Sequence, residues 1–151
     1  MVVFLYDGIN YLRELSDYAH VCKEVYRVLT DDGLFLFDIT TLTNSINHFS
    51  DFVDFEDFGS HYFMRHSYYR HENHSQHNEF TIFKRSTDPT LYNRFDEHHE
   101  QRVFDPVSIA DAIPKDLFEI CGIWDGFTFR KYSRSSERIH FLLRKKPGRL
   151  M

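Results

Sequence analysis

Apolar and polar positions change their period twice along the chain. Val2-Val3-Phe4-Leu5-Tyr6 is apolar at every position, which suits a strand buried on both faces in a parallel sheet, and Asp7-Gly8 after it reads as a turn. From Ser16 to Leu29 the period becomes helical: Tyr18, Val21, Cys22, Val25, Val28 and Leu29 recur at helical spacing, with Lys23, Glu24 and Arg27 on the other side. Ser16 is the expected N-cap. Thr30-Asp31-Asp32-Gly33 is the stop, with Gly33 free to take the left-handed conformation that closes a helix. Leu34-Phe35-Leu36-Phe37-Asp38-Ile39 is a second buried strand, so this part of the chain predicts two parallel strands joined by a crossover helix.

From about Asn44 the texture changes. Between residues 52 and 104 helical periodicity gives way to alternation, as in Tyr62-Phe63-Met64-Arg65-His66-Ser67-Tyr68, Glu79-Phe80-Thr81-Ile82-Phe83-Lys84 and Arg94-Phe95-Asp96-Glu97-His98-His99. These segments predict antiparallel strands, with polar turns near Glu72-Asn73-His74-Ser75 and Ser86-Thr87-Asp88-Pro89. The first texture then returns. Asp105-Pro106 opens a helix through about Ala112, with Pro in its first turn, and Phe118 to Trp124 and Ile139 to Leu143 read as strands.

A length of 151 residues with 42% hydrophobic positions is enough for one domain to bury a core. Sixteen Phe and nine Tyr favour half-buried strands or a cavity wall, strand packing being the simpler reading. The formal charge of -5 argues against a nucleic-acid partner, because that binding requires clustered Lys and Arg against phosphates. Arg144-Lys145-Lys146 then reads as a solvated basic end. Cys22 and Cys121 lie in apolar segments and read as reduced core residues of a cytoplasmic protein. The apolar run at the N-terminus is far shorter than the roughly 20 residues of a membrane span, so neither a membrane partner nor export is predicted.

The order of these elements carries a resemblance. Tyr6-Asp7-Gly8-Ile9-Asn10-Tyr11-Leu12, the helix end Val25-Tyr26-Arg27-Val28-Leu29 with its Gly33 turn, and Leu34 to Ile39 resemble strand four through strand five of class I S-adenosylmethionine-dependent methyltransferases. Arg94 to Phe104 and Glu137-Arg138-Ile139-His140-Phe141-Leu142-Leu143 are similar to the lid and last strand of a small-molecule branch of that family. The resemblance implies an α/β fold: a partial Rossmann-like sheet, strands four to seven, from residues 1–45 and 103–151, with an inserted antiparallel β lid over 46–102. Family members hold the cofactor chiefly on a Gly-rich turn after strand one, where glycines two apart let backbone approach it. Gly8, Gly33, Gly59, Gly122, Gly126 and Gly148 are never two apart. Strand-helix units on the order of 90 residues, at about 30 each, are therefore expected ahead of Met1, and the chain is expected to be the C-terminal portion of such an enzyme.

The resemblance also implies site residues. Leu5, Tyr6 and Asp7 would end strand four beside S-adenosylmethionine, at the carboxyl edge where open α/β sheets bind ligands. Asn10 and Tyr11 would face a small-molecule methyl acceptor. In the lid, Arg94, Glu97, His99 and Arg102 are expected over the site, with His99 as the catalytic base, since imidazole titrates near neutrality. Each has a plainer reading: turn chemistry for Asp7 and Asn10, and cross-strand ion pairs for the lid residues. His61, His66, His71, His74, His77, His98 and His99 raise a metal site as a separate hypothesis, but no cysteine or paired carboxylate completes a ligand set, so no metal is predicted.

The function implied is methyl transfer from S-adenosylmethionine to a small molecule, with the isolated chain inactive; the alternative is a non-catalytic interaction module derived from a methyltransferase. An unpaired strand at residues 2–6 also predicts self-association.

Overall fold

The first strand ends earlier than the apolar run that predicts it. The computed structural model describes residues 1–88 and 90–148, and β1 covers Val2–Phe4 rather than Val2 to Tyr6. Tyr6 and Asp7 take φ of 61° and 49°, a left-handed pair that breaks the extended run and turns the chain into a short 3-10 turn at Gly8–Tyr11. Gly8 is needed there for space, because a Cβ would stand 2.5 Å from the Phe4 ring.

The helix α1, Leu15–Val28, carries the crossover from β1 to β2, Leu34–Thr40. Its start differs from expectation. Glu14, not Ser16, is the N-cap, and the Asp17 carboxylate accepts the Glu14 backbone N–H at 3.0 Å, so the acidic residue in the first turn meets the orphan donors. Its stop also differs, since Asp32 takes the left-handed φ of 55°. Gly33 is required instead by crowding, because a Cβ would lie 2.7 Å from the Thr30 carbonyl. Lys145, expected in a solvated tail, closes this end: its ammonium donates to the Leu29 carbonyl at 2.6 Å and sits 4.4 Å from the Tyr26 ring centre. A cation at a helix C-terminus is stabilising, and its stem covers apolar surface.

β1 and β2 pair in parallel with Val2 opposite Phe35. β8, Arg138–Lys145, is antiparallel to both β2 and β7, Phe118–Asp125, giving the order β1-β2-β8-β7. Because β8 alone is reversed, β7 runs the same way as β1 and β2. One face of this mixed sheet presents Phe35, Phe37, Ile39, Ile139, Phe141 and Leu143, all buried, to α1 and to α3, Pro106–Ala112. Each such side chain contributes about 1.5–3 kcal/mol relative to exposure. Phe37 and Phe141 stack at 4.8 Å. Cys22 belongs to this core, and burial pushes its thiol up to about 12. Cys121 does not, being only partly buried and at the β-bulge of β7.

Residues between β2 and α3 hold a helix that alternation concealed. α2, Leu42–Phe49, is capped by the Thr41 hydroxyl accepting from Asn44 N at 3.2 Å. Leu42 and Ile46 are exposed while Ser45 is fully buried, so its buried face lacks the usual apolar stripe. A second sheet follows in strict sequence order: β3 Asp51–Asp57, β4 His61–Arg70, β5 Ser75–Arg85 and β6 Tyr92–Arg102. All pairs are antiparallel without a register break. The turn at 71–74 falls where the polar cluster predicts it, and the second predicted turn reaches Pro89, which lies outside the described residues.

Candidate functional site

Strand parity selects the side chains that meet at the end of β1. Successive residues of a strand point to opposite faces. Across the second sheet, Gln101 pairs with Gln76, His99 with Asn78 and Glu97 with Phe80, and Phe80 in turn pairs with Arg65. Together these side chains line a cleft of about 580 Å³, whose opposite wall is Tyr6, Asp7, Tyr11 and Arg138.

A charged network fixes that wall. Asp38 lies within the buried C-terminal half of β2 with its side chain only 2% exposed, a placement that would cost several kcal/mol for an unpaired carboxylate. Arg138 at the start of β8 donates from Nη1 to Asp38 Oδ2, and from both Nη1 and Nη2 to Asp7 Oδ1 at 3.2 Å. Burial works against the Arg138 charge, but its carboxylate partners outweigh it and hold the guanidinium above its usual range. The Asp7 backbone N–H donates to Asp38 at 3.2 Å, and Gln101 Nε2 donates to the Asp7 carboxylate at 2.9 Å. The strained Tyr6-Asp7 turn is thus held from three strands.

Over the turn stands a chain of three side chains. The Tyr11 hydroxyl is 2.7 Å from His99 Nδ1, and His99 Nε2 is 3.2 Å from Glu97 Oε2. Burial, reinforced by the Asp7 charge, keeps the Tyr11 phenol above its usual value, hence protonated at neutral pH. The Glu97 carboxylate can only accept, so in the neutral imidazole the proton lies on Nε2 toward Glu97 and Nδ1 accepts from the Tyr11 hydroxyl. The Phe80 ring meets His99 edge-on at 5.3 Å and restricts its rotation. At the far end of the cleft, Arg65 is bidentate to Asp54 at 2.9 and 3.0 Å and lies over the rings of Phe49 and Phe52.

Comparison with known proteins agrees with this architecture. No protein-family model matches the chain. It is 30% identical over 144 residues to "Putative methyltransferase YqeM" of Bacillus subtilis (strain 168), and 28% identical over 145 residues to a Geobacillus sp. (strain WCH70) protein with the same description. Each match takes in 95% of the chain and 58% of the relative, so the chain spans little more than half the length of these relatives. Among solved structures, an S-adenosylmethionine-dependent methyltransferase from Clostridium acetobutylicum superposes with a TM-score of 0.75 at 21% identity, over 96% of this chain and 57% of that one. CalS10, an amino pentose methyltransferase from Micromonospora echinaspora, gives 0.65 at 12% identity over 96% and 57%. The likeness is to class I S-adenosylmethionine-dependent methyltransferases.

Within this methyltransferase-like fold the predicted site residues divide. Tyr6, Asp7, Tyr11, Glu97 and His99 reach one cleft. Leu5 lies beside it, 37% exposed, without lining it. Asn10 does not face the cleft. It is completely buried and spends its amide on backbone: Nδ2 donates to the Arg102 carbonyl at 2.8 Å and Oδ1 accepts the Thr40 N–H at 3.0 Å. Arg94 and Arg102 are excluded by parity, since even-numbered β6 residues point away from Glu97 and His99. Arg94 instead pairs with Asp96 at 2.9 Å in solvent, and Arg102 lies over Phe104 beside a different cleft.

Asp38, Gln101 and Arg138 were not singled out by sequence. A lone acid in an otherwise apolar strand marks Asp38, and the two-residue step from His99 marks Gln101, whereas nothing local marks Arg138. The histidines are dispersed: His66 reaches Asp51 at 3.0 Å, and His77 stacks on His98 at 5.2 Å. Among the described residues no group of three or more His, Cys, Asp or Glu side chains is arranged to hold a metal, and no helix is long and apolar enough to cross a membrane.

Proposed function

We propose that this chain supplies the acceptor side of an S-adenosylmethionine-dependent methyl transfer to a small molecule, with His99 as the proton acceptor. The observation that carries the reading is the Tyr11–His99–Glu97 chain in a cleft at the carboxyl end of β1. When bound, S-adenosylmethionine supplies an electrophilic methyl on a sulfonium. The turn fits such a group: Tyr6, 87% exposed, offers an aromatic face to a cation beside the half-buried Asp7 carboxylate. Leu5 adds apolar surface next to them.

An acceptor amine or hydroxyl held against Tyr11 would give up its proton as its lone pair takes the methyl, the methyl–sulfur bond breaking with its electrons to leave a neutral thioether. The Tyr11 hydroxyl passes its own proton to His99 Nδ1 and takes the acceptor's in return, and the Glu97 carboxylate steadies the imidazolium that forms. Positioning accounts for the remainder, because a bound pair reacts with the advantage of an intramolecular step. Exposed Glu97 and Tyr11 are the acceptor-contacting side chains. The curated relatives' names support the methyltransferase reading, and the fold likeness to an amino pentose enzyme favours a small polar acceptor. A second reading, an interaction module without catalysis, is favoured by the lack of closely spaced glycines in the 151 residues. In either reading the isolated chain is inactive.

The test is transfer of labelled methyl to a panel of small amines and alcohols by the native polypeptide that contains these residues, with His99→Ala beside it. Turnover is expected to fall by about 10²–10⁴, the usual contribution of a positioned base, with cofactor affinity little changed. Unchanged turnover would leave His99 as a packing residue of the sheet.

A further inference from the structure

A second cleft, of about 560 Å³, opens where the end of β6 meets the loop before β8. Leu42, Val103, Phe104, Pro106, Tyr132 and Ile139 form the apolar part of its lining. Two guanidinium groups, Arg102 and Arg134, border it, and neither is within ion-pair distance of a carboxylate among the described residues. This distinguishes them from the guanidiniums of the first cleft, where Arg138 is held by Asp7 and Asp38 and Arg65 by Asp54. Arg102 Nε is buried with no hydrogen-bond partner, so the side chain gives up solvation without an internal acceptor in return.

The remaining polar groups are engaged within the protein, the Thr41 and Thr43 hydroxyls donating to the Ser136 and Arg134 carbonyls at 2.7 Å, which leaves the two guanidiniums as the donors for a ligand. The Tyr69 hydroxyl meets His74 Nδ1 at 3.2 Å on one side. The one carboxylate in the lining, Asp105, is engaged in capping α3, accepting the Val107 N–H at 2.8 Å. A cleft with two free guanidiniums on a chain of net charge -5 is a local reversal of the overall field, and such reversals attract ligands of the opposite sign.

We infer that this cleft binds a small organic oxyanion, a carboxylate or phosphate carried on an apolar or aromatic body. The fork of Arg102 and that of Arg134 take the oxygens, a geometry for which guanidinium is suited and ammonium is not, and Phe104 and Tyr132 flank the body. The site does not depend on the methyl-transfer reading, since none of its residues belongs to the Tyr11–His99–Glu97 chain. Arg102 follows Gln101 directly in sequence, and its carbonyl is held by Asn10, so occupancy bears on the same segment of β6 that steadies Asp7.

Calorimetric titration with phenyl phosphate, benzoate and inorganic phosphate, with phenol as the neutral control, tests the proposal. Phenyl phosphate or benzoate is expected to bind, whichever matches the oxyanion, while phenol does not; inorganic phosphate binds more weakly than phenyl phosphate because it leaves the apolar walls bare. Arg102→Gln and Arg134→Gln are each expected to weaken binding about tenfold or more, the loss typical of a charge-assisted hydrogen bond. Arg134 is exposed, so Arg134→Glu keeps the fold and should abolish binding, whereas His99→Ala should leave it unchanged. Binding that survives Arg134→Glu, or no binding of either organic anion at millimolar concentration, would overturn the assignment.

Discussion

Asn10→Ala is expected to cost stability rather than acceptor affinity. Asn10 is 0% exposed and joins the turn after β1 to the ends of β2 and β6. Truncation leaves the Thr40 N–H and the Arg102 carbonyl without their partner at 3.0 and 2.8 Å. A third contact, Nδ2 to the Thr40 carbonyl at 3.4 Å, is too long to add much. Each stranded group costs about 1–3 kcal/mol, so the total is about 2–6 kcal/mol. A water entering the space left by the amide would recover part of this, which places the expectation near 3 kcal/mol. Against a typical domain stability of about 5–15 kcal/mol the loss is large.

Urea unfolding followed by circular dichroism measures it directly. With a slope of about 2 kcal/mol per molar, the midpoint should drop by about 1.5 M. Asn10→Asp should be no better at neutral pH, because it keeps the acceptor for Thr40 but sets a carboxylate oxygen against the Arg102 carbonyl. A midpoint within about 0.3 M of wild type, at the same slope, would refute the buried-clasp assignment and return Asn10 to the cleft.

Burial lowers the pKa of His77 below its usual value of 6.5, opposed by Glu100 and Glu79 and assisted by Arg70 and His98. The unfolded chain then binds the extra proton more readily, so stability is full above about pH 6.5 and falls as the pH drops below it. Thermal melts between pH 7.5 and 5.5 should show this fall diminished in His77→Gln; an identical slope in both proteins would exclude His77 as its source. β1 pairs only with β2 among the described residues and exposes Val3, so the chain should self-associate through this edge. Sizing chromatography should show Val3→Lys shifted toward monomer, and a wild-type chain monomeric at every concentration would contradict it. Calorimetry of the 151-residue chain with S-adenosylmethionine should show weak or no binding, given the absence of glycines two apart; micromolar affinity would mean that the Tyr6-Asp7 turn and the second sheet suffice.

Local pattern was enough for most elements. The helical period of Tyr18, Cys22 and Val25 and the apolar runs at Phe35–Ile39 and Ile139–Leu143, each broken by one residue, Asp38 and His140, describe surfaces that must be buried wherever they lie, so they read correctly without a partner in view. Alternation over β4, β5 and β6 was enough to place these strands, although their burial does not alternate. α2 escaped because its buried residue is Ser45, bonded to Gln76 of β5 at 2.8 Å, and a polar helix face paired with a distant glutamine leaves no periodic trace. The ends of elements were misplaced where a backbone angle, not a side-chain type, decides them: Tyr6 and Asp7 after β1, and Asp32 before β2.

The cleft shows the same division. Tyr11 and His99 were recognisable as chemically capable, but their 2.7 Å contact spans 88 positions and exists only once β1 ends beside the open face of the second sheet. Parity along β6 was present in the sequence and separates Glu97, His99 and Gln101 from Arg94 and Arg102, although which parity faces inward was decided by the packing of the two sheets. Arg138 lies 131 positions from Asp7 and 100 from Asp38. Nothing in its neighbours indicates those partners, because ion pairing depends on distance in space, and that distance is set by the antiparallel register of β8 on β2.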